Sequence, residues 1–463
     1  MNLLFKPLNI LLLMSLSCGV LAKEILPLSD PKNSQNWQLN PEVSDEFNGT
    51  ALDELKWFVQ GKEAKFYLWK GRAPSQFAPH NVNLSDGLLK LTTQWQPDYA
   101  FVGTPPAKQE ITSYENITTA AIISKKTFLY GYMEVRVKIP DAAMTGAFWG
   151  TGYQQELDVF ELIGRVKTGS RNPESTFVTS IHDWRPGHAE QNKVWRHPHK
   201  MAGRTADAFH VYGVEWLKDG LKMYLDGELV HTVNQAEMGD SWLLNNPLEL
   251  WFDSEVFPWH GIPSKEELPV DFEIDYVRIW QKPDSNLLAP AFYGFEGPYI
   301  SEMRQMPEAR DLYAKQWWFD NASAKHFAIT DFNENKFASG RKSLRFVQNA
   351  ELAQNEVVAF SPEGSIRLDE GNYQLTFKLW KEPQSQVQKI NIILENPWLV
   401  LSPINVSNIT PSQWVEVSLP FVRTQASKLN DRMRIIIKQA DAPAGTSTLF
   451  IDDIAISKIP QEE

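Results

Sequence analysis

Glu156-Leu157-Asp158-Val159-Phe160-Glu161-Leu162-Ile163 is the run on which the fold turns. Acidic and apolar residues alternate through its first half, as in a β-strand with one face on a core and the other on a polar surface. Glu156 and Asp158 share a face, whereas Glu161 in a regular strand falls on the apolar side. One extra residue at Val159 or Phe160 returns all three acids to one side, so the run predicts a β-bulge there. Three like charges side by side on a strand repel one another, and structure alone supplies no reason for them.

On either side of it, short alternating or apolar runs bounded by turn residues recur from Trp37 to Gln281. Leu88-Leu89-Lys90-Leu91-Thr92, Gly131 to Val137, Val211 to Trp216 and Lys222 to Leu225 are examples, the last ending in the hairpin signal Asp226-Gly227. No long helical period interrupts them, so the reading is an all-β sandwich that closes on Phe272 to Trp280. Lys282-Pro283-Asp284-Ser285-Asn286 then breaks the pattern. From about Gly294 a second β-rich block follows, with strands such as Tyr373 to Lys378, Trp414 to Leu419 and Leu449 to Ile456. The expected division is a leader over 1–22, a first domain over 23–282, a linker over 283–293 and a second β-sandwich over 294–463. A chain of 463 residues suits two cores, at roughly 150 to 250 residues per domain.

The leader is read from Lys6, the apolar run Leu8 to Leu16 and the small-residue pattern Val20-Leu21-Ala22. It predicts a secreted or periplasmic protein, since the run is too short for a membrane anchor. Cys18 is the only cysteine, and Ser15 stands where a lipoprotein signal expects leucine, so simple cleavage is the reading. The mature chain then has neither disulfides nor a cysteine metal site. A net charge of −12 disfavours nucleic acid and anionic membranes as partners. A local basic cluster in a cleft still suits an anionic ligand. The 17 tryptophans are many for this size; cores take some of them, and sugar-binding clefts use such rings against the apolar face of a pyranose.

A bare E-x-D-x-x-E is more often a solvated strand face than a site. Here Gly146-Ala147-Phe148-Trp149-Gly150 precedes the acids, with Trp149 as a stacking platform, and His182-Asp183-Trp184 follows at the distance of one antiparallel neighbour. Cleavage of a glycosidic bond uses two carboxyl groups, one to attack the anomeric carbon and one to protonate the leaving oxygen, about 5 to 5.5 Å apart when configuration is retained. An Asp between two Glu residues splits their pKa values.

Together with Asp45 to Gly49, Phe209 to Trp216 and Ile274 to Trp280, the acid run resembles glycoside hydrolase family 16 over roughly Trp37 to Lys282. The resemblance implies a β-jelly roll with an open cleft and a retaining double displacement. By motif position Glu156 is similar to the nucleophile, Asp158 to the assisting acid and Glu161 to the general acid/base. The bulged spacing resembles the agarase, porphyranase, carrageenase and laminarinase branch. The family also implies a structural calcium on the convex face, with Asp275 as side-chain ligand, and no catalytic cofactor.

Substrate choice lies in loops. Trp69 to Phe77 looks similar to a segment of agarases and porphyranases, which nominates Trp69 and Arg72. His182, Trp184 and Arg185 nominate themselves as basic and aromatic neighbours suited to a sulfated sugar. Glu255 and Trp259 stand where the family positions a binding Glu and an aromatic. An ordinary surface loop is the competing account of the basic and aromatic cluster at His182, Trp184 and Arg185. The expected function is a monomeric endo-hydrolase cutting β-1,4 bonds in a red-algal galactan of carrageenan, furcellaran, agar or porphyran type. The alternatives are a β-1,3-glucanase and a catalytically silent galactan-binding protein. The second block is similar at fold level to carbohydrate-binding modules; Trp317, Trp318, Trp380 and Trp398 are its candidate glycan contacts, and Glu296 and Asp452 its candidate calcium ligands.

Overall fold

The computed structural model describes residues 25–282, Phe295 and residues 317–459. Not described within these are Leu68 and residues 107–110, 153–154, 169–172, 185–192, 218, 239–241, 245–247, 331–335, 340–341, 350–355, 362–364, 367, 429 and 440–444. The leader, the linker, Arg185 and Glu296 therefore lie outside the described residues.

Alternation becomes strand almost throughout, and the longest described helix is the single turn Gln235–Met238. The expected strands appear as Leu88–Trp95, Gly131–Lys138, His210–Leu217 and Gly220–Leu225. Asp226 and Gly227 both take positive φ, 51° and 85°, as a two-residue hairpin following the right-handed strand twist requires. Among the described residues no helix is long and apolar enough to cross a membrane.

Two sheets build the first block. A ten-stranded sheet runs from Glu228–Asn234 through Gly220–Leu225, His210–Leu217, Gly131–Lys138, Val270–Gln281, Leu88–Trp95 and Ile117–Thr119 to Ser75–Phe77, with two further strands on its flanks. A seven-stranded sheet runs Lys193–Lys200, Thr176–Asp183, Gln155–Ile163, Thr145–Gly152, Glu249–Asp253, Ala121–Ser124, Trp57–Val59. Met133, Val135, Tyr212, Val214 and Trp216 from the first pack with Phe148, Leu157, Phe160, Leu162 and Phe252 from the second in one buried cluster. Each such side chain contributes about 1.5–3 kcal/mol by leaving water. Several tryptophans, among them Trp57, Trp216 and Trp280, are spent on cores.

The two ends of the block meet. Gln38 pairs with Gln281 and Asp45 bridges to Val277, while Glu46 takes a bidentate pair from Arg278 at 2.7 Å. Hence the Asp45-Glu46 and Val277-Arg278 segments belong to one structural lock although they are far apart in sequence.

In the second block a six-stranded sheet and a five-stranded sheet, the latter containing Gly371–Lys381, Trp414–Arg423 and Ser447–Lys458, enclose a separate cluster that includes Leu344, Phe377, Ile392 and Ile435. Trp317 belongs to that cluster, Trp380 is half-buried against Trp414, and Trp318 and Trp398 are exposed. Asp452 is fully buried and accepts hydrogen bonds from the backbone of Ala338, Ser339 and Asp453.

Candidate active site

The acid strand Gln155–Ile163 lies between Thr145–Gly152 and Thr176–Asp183. Against its first neighbour, Asp158 pairs with Trp149 and Phe160 with Phe148, so Val159 is the extra residue and the expected bulge is present. Val159 and Phe160 are both fully buried in the core, and Glu161, opposite Ala147, returns to the face of Glu156 and Asp158. The carbonyl of Val159 accepts a 2.9 Å hydrogen bond from Thr179 Oγ1. A neighbouring hydroxyl thus satisfies a group that the broken ladder would otherwise strand.

His182 lies opposite Glu156. Its Nε2 is 2.9 Å from Asp158 Oδ2 and 3.9 Å from Glu156 Oε1. Trp184 Nε1 donates to Glu156 Oε2 at 3.1 Å and its ring lies nearly parallel to His182. Burial, then the charges of Asp158 and Glu161, push Glu156 up to about 8, with His182 and the Trp184 hydrogen bond acting in the other direction. Carboxyl groups this close titrate together and share protons rather than ionise independently. Ligand atoms of Glu156, Asp158 and His182 lie within 4.8 Å of one another, a spacing that suits proton exchange and that a metal ion can also use.

A second group lies on the same sheet. Trp149 pairs with Trp251 on Glu249–Asp253, and Trp69 stacks on both, at 5.5 and 4.8 Å between ring centroids. Trp149 is only 6% exposed; it is one leaf of this stack rather than an open platform, and its Nε1 donates to Asp253 Oδ2 at 2.7 Å. Trp69 Nε1 donates to Glu255 Oε1 at 2.9 Å, and Arg72 Nε to Glu255 Oε2 at 3.3 Å. The Arg72 guanidinium also covers Phe257 and Trp259, 4.8 and 5.4 Å from the ring centroids. Burial opposes its charge, but Glu255, Glu161 and Asp253 outweigh that and raise its pKa. Trp259 is 55% exposed, the open aromatic of the group.

Asp253 is the residue that sequence reasoning passed over. It is buried, and burial together with Glu255 and Glu161 raises its pKa well above the carboxylate range. The signal was present in Trp251-Phe252-Asp253: Phe252 enters the core while Trp251 and Asp253 turn to the face of Trp149. Asp275 is placed elsewhere, on the ten-stranded sheet beside a register shift, where Arg136 Nη1 donates to its Oδ2 at 2.6 Å. A calcium ion there has to compete with a guanidinium for that oxygen, which fits the residue to an ion pair better than to an oxygen cage.

Residues 37–282 match the family described as Beta-porphyranase A-D, GH16 domain. Beta-porphyranase B of Zobellia galactanivorans is 27% identical over an alignment of 307 residues that covers 59% of this chain and 95% of that protein. Kappa-carrageenase of Pseudoalteromonas carrageenovora is 28% identical over 289 residues, 57% of this chain and 69% of that one. Glucan endo-1,3-beta-glucosidase A1 of Niallia circulans is 28% identical over 293 residues, 56% of this chain and 40% of that one. With a bulged three-acid strand inside a family match that spans more than half of its length, the chain belongs to glycoside hydrolase family 16, whose members hydrolyse O-glycosidic bonds.

Proposed function

We propose that this hydrolase is exported and cuts internal β-1,4 bonds of a red-algal galactan with retention of configuration, porphyran being the first substrate to test. The observation that carries the mechanism is the bulge at Val159, which sets Glu161 on the face of Glu156 and Asp158. The match to the β-porphyranase domain, and the naming of relatives for porphyran and carrageenan, support the substrate class.

In the proposed first step the Glu156 carboxylate attacks the anomeric carbon. The glycosidic C–O bond breaks and Glu161 gives its proton to the leaving oxygen. In the second step Glu161 takes a proton from water, whose oxygen attacks the same carbon and releases Glu156. Attack needs Glu156 ionised, whereas in the resting cluster it holds a proton up to about pH 8. Asp158, within 4.8 Å and bound to His182, is the acceptor we assign for that proton. Trp184, Trp259 and the Trp69–Arg72–Glu255 group are assigned to hold sugar rings on either side of the scissile bond. No cofactor enters these steps, and a calcium at Asp275 serves the fold alone if bound. The protein is proposed to act as a monomer.

Incubating the purified chain with agarose, porphyran, carrageenans and laminarin, and analysing the released oligosaccharides, tests the reading. Products are expected from a galactan, with the β-anomer formed first. Cleavage of laminarin alone would transfer the protein to the β-1,3-glucanases, and no product from any polymer would leave a binding protein.

A further inference from the structure

We infer that the outer face of the six-stranded sheet in the second block binds a sulfated galactan chain, at a site built from two exposed tryptophans and two arginines. This rests on the galactan reading only for the choice of polymer.

The sheet orders Trp318–Phe319, Glu356–Phe360, Met433–Gln439, Val387–Leu394 and Leu399–Val400. Val357, Ala359, Ile435, Ile437 and Ile392 point into the core, so residues of the opposite parity face outward. Cross-strand register then lines up one row over all five strands. Trp318 lies opposite Phe360, Phe360 opposite Arg434, Arg434 opposite Ile393, and Ile393 opposite Val400. At about 4.8 Å per strand the row is about 19 Å long, room for more than one sugar ring.

Trp318 and Trp398 are 50% and 58% exposed, although ordinary packing hides most of an indole. Between them the two arginines and Phe360 form a ladder. Arg432 lies 5.8 Å from the Trp318 ring centroid and 4.6 Å from that of Phe360. Arg434 lies 5.1 Å from Phe360 and 5.0 Å from Trp398. Both donate through Nε to the Glu395 carboxylate, which fixes their planes. Two guanidinium groups on one carboxylate leave a positive charge uncompensated.

Lys389 and Lys438, opposite each other on the same face, add two cations against Glu356. In a protein of net charge −12 this face is locally basic. Flat rings suit the apolar face of a sugar, and pinned guanidinium groups suit a sulfate, whose oxygens match their fork geometry. A neutral glycan has no use for the arginines, and a compact anion has none for the exposed indoles. The combination selects a sugar chain bearing negative groups.

Affinity electrophoresis of the full chain carrying Glu156→Gln, in native gels containing porphyran, carrageenan or agarose, tests this. The sulfated polymers are expected to retard the protein and agarose much less, with the difference shrinking as salt rises. Trp318→Ala and Trp398→Ala, at half-exposed positions that leave the core untouched, should each weaken retardation about tenfold. Arg434→Gln should do so for the sulfated gels only. The tryptophan variants should still hydrolyse short soluble oligosaccharides at the parent rate when Glu156 is intact. Unchanged retardation of the double tryptophan variant, with a native circular dichroism spectrum, would overturn the site. Equal retardation by agarose would overturn its sulfate character. Product analysis of the parent separates the two readings: a chain that cuts no galactan but loses retardation in the tryptophan variants keeps this site and loses the proposed activity.

Discussion

Two regions of the molecule join tryptophan to charge in opposite ways. On the seven-stranded sheet, Trp69, Trp149 and Trp251 stack on one another beside buried acids. Their indole N–H groups are spent orienting carboxylates, Trp69 on Glu255 and Trp149 on Asp253. On the outer face of the six-stranded sheet the exposed rings flank arginines. Aromatic walls around acids exclude water and raise pKa values, which suits proton transfer. Aromatic walls around arginine leave the charge fixed, which suits holding an anion. Composition treats the two as equal, but the sign of the enclosed charge divides chemistry from attachment.

The largest test of that division is Glu156→Gln, expected to lower kcat by about 10^4-fold or more while sugar binding persists, as measured by oligosaccharide release and by calorimetry. Wild-type turnover would show that the acids are only a charged strand face. Next, Glu161→Gln is expected to slow hydrolysis of natural substrates by about 10^3-fold and far less for an aryl glycoside whose leaving group needs no proton. Equal losses on both would remove the acid role from Glu161. Chelation with EDTA should leave activity intact. Loss restored by a divalent ion, with the native circular dichroism spectrum kept throughout, would turn Glu156, Asp158 and His182 into a metal site.

A smaller effect follows from the proton on Glu156. Its folded pKa of about 8 lies above the ordinary 4.5, so the folded state keeps a proton that the unfolded chain releases between those values. Stability of the first block is therefore expected to fall as pH rises from about 4.5 to 8. Glu156→Gln should be the more stable protein at pH 8, by on the order of 2 kcal/mol, and similar to the parent at pH 4. Urea unfolding at the two pH values measures this. A parent more stable at pH 8 would mean that the acids are screened rather than crowded. Smallest of all, Arg72→Ala leaves Glu255 without its guanidinium and is expected to raise KM about tenfold with less effect on kcat.

Much of this arrangement is legible in the sequence because strand periodicity is a strict constraint. Glu161 is out of phase with Glu156, and only an inserted residue reconciles them, so the bulge is a deduction from parity. His182 follows from the length of one strand and one connection. What the sequence does not disclose is how much room each ring has. Trp149 and Trp259 read alike as sugar contacts, yet one is buried in a stack and the other is open. That difference depends on Trp69 and Trp251, brought to Trp149 from distant positions. The parity of Asp253 is readable, but its raised pKa is not, for the same reason. That pKa is raised by burial and then by Glu255 and Glu161, all of them tertiary facts. Asp275 is a further case, a position inferred from a family pattern whose neighbour Arg136 only the fold discloses.

The single extra residue at Val159 has one more consequence. If it were deleted, Asp158, Phe160 and Glu161 would alternate regularly, and each side chain would still face the way it does now. The bulge is thus how a run one residue too long for regular alternation still keeps its three acids on one face. A one-residue insertion held by the Thr179 hydroxyl is in that sense a phase corrector, and deleting Val159 tests it without touching any of the three acids.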